Sequence, residues 1–526
     1  MFLRPLILGL ALAAPSLFAQ SAFVTTARGD TVLIERFTRT ATRIEGEVVP
    51  KGSVRMVYSN PIDASGHLGD ATLAIYSPGS LASAAPMQQA HIAVVGDSVI
   101  VDITAGSAPA RVQRLASRPG AQPVLNNSFA VYEVLIAAAR RTGASTATMP
   151  VFLASGGQTL PVSFDGLKTD SVSLTIATQS GWLVTDKAGR IIRGGIPSQG
   201  LAIFRVDGVA ASKLGTRPDY SAPTGAPYTA EDVTVPTSIG HSLGGTFTKP
   251  VTSPPDGRFA VAISITGSGA QDRDEYIGIV PKGYRPFRQI ADTLGRRGIA
   301  MLRMDDRGYG ASGGEYASAT SRDFANDIRA GIAYLRTRPD VDSRRIFLIG
   351  HSEGGLVAPM VAVDEPSLAG IVLMAGTART GREIISYQMR YAIEHDTSIT
   401  ATRRDSALSQ VNAATDSVLK TSPWLTFFGS YDPVATARRV KVPVLILQGG
   451  DDQQVIASEA KTLETTLRAS GNRDVTMKVF LELNHLFIRQ PGGNPAGYTS
   501  LTSNVIVPEV IGTLVEWVHA HANTKR

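Results

Sequence analysis

Hydrophobic and polar positions follow two different rhythms along this chain. Across residues 31–104 apolar residues alternate with polar ones, or run in short blocks, at 44–49, 53–58, 71–76 and 98–103, with Gly, Pro, Asn or Asp between them. A period of two broken by turn residues predicts strands with one buried face. Residues 129–140 carry apolar side chains at helical spacing and predict one helix, after which strands resume at 171–176 and 201–206. This half is expected to be mostly β and antiparallel.

The rhythm changes after Tyr220-Ser-Ala-Pro-Thr-Gly-Ala-Pro227, whose Pro and Gly residues make 218–227 the best linker in the sequence. Beyond it short apolar runs alternate with helical patterns. Strands are predicted at 259–265, 300–304, 345–349, 371–374, 442–447 and 476–480, and helices at 287–297, 324–335, 355–363, 459–467 and 505–520. Repeated crossovers of this kind make a mostly parallel sheet with helices on both faces. Residues 377–441 are too long for a connection and carry helical stretches at 384–393 and 408–419. They predict a helical lid inserted after the sixth strand. The expected organisation is therefore a β-rich part at 20–217, the linker, and a catalytic part at 228–526.

Composition narrows the setting. A net charge of +6 arises from scattered arginines with no basic run, which argues against nucleic acid as a partner. Met1-Phe-Leu-Arg4, an apolar stretch to Ala14 and Ser16-Leu-Phe-Ala19 have the three parts of a secretory signal, with cleavage expected after Ala19. No later run reaches the length of a membrane span. The chain has no cysteine, so disulfides, thiolate metal sites and a lipidated N-terminal cysteine are excluded. An exported protein, free in the periplasm or medium, is the expectation.

The chemistry begins at Gly350-His351-Ser352-Glu353-Gly354, which lies between the run 345–349 and the helical pattern 355–363. A Gly-x-Ser-x-Gly between strand and helix makes a turn sharp enough to lift the serine clear of the sheet. Gly240-His241-Ser242-Leu243-Gly244 matches the same pattern, but Pro250, Pro254 and Pro255 follow and no helix starts there. Ser242 is expected in a hairpin turn and Ser352 as a nucleophile. A base should follow in the chain, and Leu483-Asn-His485-Leu486 stands directly after the run 476–480, whereas His519 and His521 sit in a polar helical tail. The acid should lie in Gly449-Gly-Asp451-Asp452-Gln-Gln-Val455, where two aspartates compete. Two backbone N–H donors complete such a site: Glu353, after the serine, and Ser268 in the glycine-rich Thr266–Gln271 segment, with Gly269 to Gln271 as the alternatives to Ser268.

The segments Gly267-Ser-Gly-Ala-Gln-Asp-Arg-Asp-Glu275, Asp306-Arg-Gly-Tyr-Gly-Ala-Ser312, 350–355, 447–455 and Asn484-His-Leu-Phe487 occur in that order. Together they resemble the exported bacterial α/β-hydrolases of the esterase D-like group, relatives of the serine aminopeptidase and acyl-peptidase families, over about 228–517. The resemblance implies an α/β-hydrolase fold with a helical lid beside an N-terminal mostly-β domain, and a Ser-Asp-His triad. In that group the acid stands three residues after the glycine that ends its strand, which selects Asp452. Thr266-Gly267 replaces the His-Gly common before the oxyanion donor. A small-molecule ester of small, medium or aromatic acyl group is the expected substrate, with no cofactor and no metal. An aminopeptidase using the same triad, with Glu383 or Glu394 holding the amine, and an envelope-binding protein with a vestigial hydrolase are the alternatives. Trp424, Phe427, Phe428 and Tyr431 are candidates to line an acyl pocket. Asp272, Asp274 and Glu275 read as ion-pair partners of Arg273 or Arg307.

Overall fold

The computed structural model describes residues 21–523 apart from 28, 29, 52, 78–84, 106–108, 213 and 215–217. The expected signal at 1–19 lies outside them. The chain divides into two compact units after Pro218.

In the first unit fifteen strands among the described residues form one sheet, antiparallel throughout except where Gln122–Val124 pairs with Thr146–Leu153. The helix Phe129–Arg140 matches the sequence expectation, and ten of its twelve residues are buried. It packs against Phe23, Phe37 and Ile44 from early strands and Val151, Phe164 and Leu183 from late ones, so the sheet wraps around it. A helix buried at its start needs partners for its first N–H groups. Ser128 Oγ accepts from Val131 N, and the Glu35 carboxyl accepts from the N–H groups of Phe129 (2.7 Å) and Ala130 (3.1 Å) as well as from the Tyr58 hydroxyl (2.7 Å).

Burial pushes the Glu35 pKa up to about 7 against the pull of those donors. A carboxyl raised in the folded state lends its full stability below its unfolded pKa, and that stability drains away as pH rises through the folded value. This unit should therefore lose about 2 to 3 kcal/mol between pH 5 and pH 8. Glu35→Gln, with its amide nitrogen turned to the Tyr58 and Ser128 hydroxyls that both bond Glu35 Oε1, should flatten that dependence. Urea titrations at both pH values check it, and an equal fall in the two proteins would contradict it.

The second unit is an eight-stranded sheet crossed by helices. In chain order its elements are β1 (Tyr228–Pro236), β2 (Ser242–Pro250), β3 (Phe259–Ile265), α1 (Pro286–Arg296), β4 (Ala300–Met304), α2 (Ser321–Thr337), β5 (Val341–His351), α3 (Glu353–Asp364) and β6 (Gly370–Met374). The lid follows as α4 (Gly381–His395), α5 (Ala401–Val418), α6 (Pro423–Ser430) and α7 (Pro433–Ala437), then β7 (Val444–Gly449), α8 (Ala457–Ala469), β8 (Val475–Phe480) and α9 (Pro508–Ala522). The strand order is β1-β2-β4-β3-β5-β6-β7-β8. Only β1–β2 and β2–β4 are antiparallel. Every residue of β3, β4, β6 and β7 is buried, as a sheet covered on both faces requires.

Two local features bear on the sequence reading. Gly240, at φ +91°, turns the β1–β2 hairpin, and Ser242 opens β2 opposite Pro236. In the expected linker, Tyr220 is anchored: its hydroxyl lies 3.2 Å from Asp272 and the Arg273 guanidinium lies over its ring at 4.3 Å.

Candidate active site

The turn from β5 into α3 is tightly constrained. Ser352 has φ +54° and ψ −116°, a left-handed conformation that non-glycine residues avoid. The glycines around it are required by close approach. A Cβ on Gly350 would stand 2.0 Å from the Gly354 carbonyl oxygen, and one on Gly354 would stand 2.1 Å from that of Ile265. Ser352 N–H donates to the Met374 carbonyl at 2.9 Å, tying the turn to β6. The first amides of α3 then open toward the serine with the positive end of the helix dipole.

The loop after β3 lies against this turn, since a Cβ on Gly267 would be 3.3 Å from that of Ser352. Gly267 N–H donates to Glu275 Oε1 at 3.0 Å. Ser268 comes next, and its hydroxyl bonds the Glu353 carboxyl. The same carboxyl accepts from Ser321 Oγ (2.6 Å) at the start of α2 and from Trp424 Nε1 (2.8 Å) in the lid. Burial raises the Glu353 pKa against these donors.

On the other side, β7 and β8 deliver an acid and an imidazole. His485 Nδ1 lies 2.8 Å from Asp452 Oδ2, with the two side chains 5% and 0% exposed. Asp452 Oδ1 accepts from the N–H groups of Gln454 (2.8 Å) and Val455 (2.9 Å), and Oδ2 from Gln448 Nε2 (3.0 Å). With every donor pointed at it, Asp452 accepts the Nδ1–H of His485 and leaves Nε2 as the basic nitrogen. Asn484 shapes the loop of His485 by accepting from the N–H groups of Leu486 and Ile488. Asp451 instead accepts from Gly492 N–H at 2.7 Å.

An antiparallel pair leading into a parallel sheet, a strained serine turn after the fifth strand, and acid and imidazole after the seventh and eighth define the architecture. The second unit has the α/β-hydrolase fold. Two family models match it: Serine aminopeptidase, S33, over residues 283–414, and the Dienelactone hydrolase family over 406–502. Esterase EstD of Thermotoga maritima is 28% identical over 312 residues, covering 57% of this chain and 69% of that protein. The monoglyceride lipase of Mus musculus is 24% identical over 225 residues, covering 39% and 72%. A solved esterase from Pyrococcus furiosus superposes with a TM-score of 0.39 at 16% identity, covering 58% of this chain and 96% of that one.

Around the hydrolase site the charged residues pair differently from the sequence expectation. Asp272 meets Arg285 at 3.0 Å, Asp274 meets Arg303, and Glu275 meets His351 at 2.7 Å. Arg273 pairs with Asp305 (2.8 Å) and Arg307 with Asp327 (2.7 Å). Arg285 stands just before α1, whereas Arg303 comes from β4 and His351 from the end of β5. No group of three or more potential metal ligands occurs among the described residues.

The lid aromatics also separate. Trp424 reaches Glu353 and stacks on Phe428, with ring centroids 5.6 Å apart. Phe428 itself is buried against Gly381. Phe427 and Tyr431 stack on each other at 5.5 Å, with Arg322 of α2 over Phe427. Sequence reasoning passed over Gln448, Asn484 and His351. A buried polar residue inside an apolar strand end was the available signal for the first and last.

Proposed function

We propose that this hydrolase cleaves carboxylic esters through an acyl-enzyme. Ser352 Oγ attacks the ester carbonyl while His485 Nε2 takes its proton, and Asp452 stabilises the imidazolium that results. The backbone N–H groups of Ser268 and Glu353 receive the oxyanion; the amide before Ser268 is already committed to Glu275. Collapse of the tetrahedral intermediate passes the proton from His485 to the leaving alcohol. Water then repeats the cycle on the acyl-serine, and the acid and Ser352 are released.

The observation that carries this reading is the buried 2.8 Å bond between His485 and Asp452. It supports one imidazole tautomer for His485, and the strained backbone of the turn at Ser352 supports that serine as the nucleophile. The naming of the Thermotoga maritima relative as an esterase supports the substrate class. The aminopeptidase alternative needs a free carboxylate for the amine. Glu383 is engaged with Thr380 N–H and hydroxyl at the head of α4, which disfavours it in that role. On residues 1–19 we also propose export; no helix among the described residues is long and apolar enough to cross a membrane.

Turnover of nitrophenyl esters from acetyl to hexanoyl, measured beside aminoacyl nitroanilides, tests the substrate class. Ester cleavage without aminoacyl anilide cleavage is expected. Preference for the anilides would transfer the site to peptide chemistry.

A further inference from the structure

His351 lies one residue before the serine and is buried at the end of β5. Its ring faces an acceptor on each side. Nδ1 is 2.7 Å from Glu275 Oε1, and Nε2 is 3.0 Å from the backbone carbonyl oxygen of His485. A carbonyl oxygen only accepts, so Nε2 carries a hydrogen. A second proton then lies between Nδ1 and Glu275 Oε1, and both contacts are made only while the pair keeps it. Burial works against charge on His351, but the Glu275 carboxylate outweighs burial and raises its pKa.

Glu275 is itself held in place. It has φ +56°, and its Oε1 also accepts the Gly267 N–H at 3.0 Å, while Oε2 is buried with no hydrogen-bond partner. A non-glycine residue in that conformation persists only where its surroundings fix it. One imidazole thus spans from the loop after β3, through Glu275 to Gly267, to the loop after β8 at the His485 backbone. The His351 and His485 rings stand 5.0 Å apart between centroids.

We infer that His351 is a positioning residue, tying the loop of the base His485 to the loop of the oxyanion donor Ser268. The inference rests on the roles proposed above for Ser352, His485 and Ser268. The two loops hold groups that act on opposite sides of one tetrahedral centre, so their separation matters most in the transition state. Displacements of about 1 Å in such groups cost about 100-fold in rate. His351 touches neither substrate nor leaving group, so substrate binding should not depend on it.

Three variants of the full chain test this. His351→Asn keeps a donor near the Nδ1 position, toward Glu275, and lets go of the His485 carbonyl. His351→Gln keeps a donor near Nε2 and lets go of Glu275. Glu275→Gln, close to isosteric, removes the shared proton and remains informative where a His351 variant fails to fold. On proteins whose melting curves match the parent, each should lower kcat for a nitrophenyl ester about 10- to 100-fold, with KM changed less than about threefold. The double variant His351→Asn with Glu275→Gln should lose little more than either single change, because the two contacts lie in series and breaking either already unties the loops. Unchanged kcat, or a raised KM at unchanged kcat, in a background where Ser352→Ala is inactive would overturn the positioning role alone. An active Ser352→Ala protein would overturn the triad reading and this inference with it.

Discussion

Ser352→Ala should abolish ester turnover while Ser242→Ala leaves it almost untouched. The two serines share a Gly-His-Ser-x-Gly pattern but not a backbone. Ser352 sits at φ +54° between β5 and α3, against Gly267 and at the head of a helix. Ser242 begins an antiparallel strand after a hairpin turn, and its partner is Pro236. No helix N-terminus follows it to help an oxyanion form. Loss of a triad nucleophile costs roughly 10⁴- to 10⁶-fold in kcat, whereas a serine at a hairpin end should change kcat by less than about twofold. Steady-state kinetics of the two purified variants read the difference directly. Equal losses, or the reverse order, would remove Ser352 from its proposed role.

Asp452→Asn should be nearly as damaging, and Asp451→Asn nearly silent. Asp452 receives one imidazole N–H, two backbone N–H groups and an amide N–H, so it works as an acceptor on all sides. An asparagine there keeps the size but can turn its own donor toward His485. The imidazole would then carry its hydrogen on Nε2, where it cannot accept the serine proton. In a serine-protease triad this change costs about 10⁴-fold, and a comparable loss of kcat is expected here with folding intact. Asp451 accepts from Gly492 N–H, whereas the imidazole of His485 bonds Asp452, so the amide variant of Asp451 should lose at most a few-fold. Matching moderate losses in both variants would mean that either carboxylate can serve.

The hydrolase unit was largely legible because its strands are buried on both faces. Such strands read as unbroken apolar runs, and 259–265 and 300–304 match β3 and β4 residue for residue. Strand β5 begins earlier than its apolar run because Val341 pairs with Phe259, and the polar residues 342–345 fall in an irregularity of register before pairing resumes at Ile346. Two lid helices, Pro423–Ser430 and Pro433–Ala437, went unread because they are short and begin with proline behind a Ser or Asp cap. That sequence pattern serves a turn equally well.

Long-range pairing was not legible at all. The first and last long strands of the β-rich unit, Ser21–Ala27 and Leu201–Asp207, pair side by side although most of that unit lies between them. Local periodicity contains nothing that specifies such a partner. The same limit explains His351. Its place in the pattern before Ser352 is obvious, but its partners come from Glu275 and His485, loops contributed by β3 and β8.

The central claim, that Ser352 is the acyl acceptor of an ester hydrolase, is tested most directly by active-site labelling followed by peptide mapping. The intact protein is treated with a fluorophosphonate while nitrophenyl ester turnover is followed. The account predicts one label per chain, on Ser352, with activity falling in proportion to labelling. A label on any other residue, or full turnover by fully labelled protein, would contradict it.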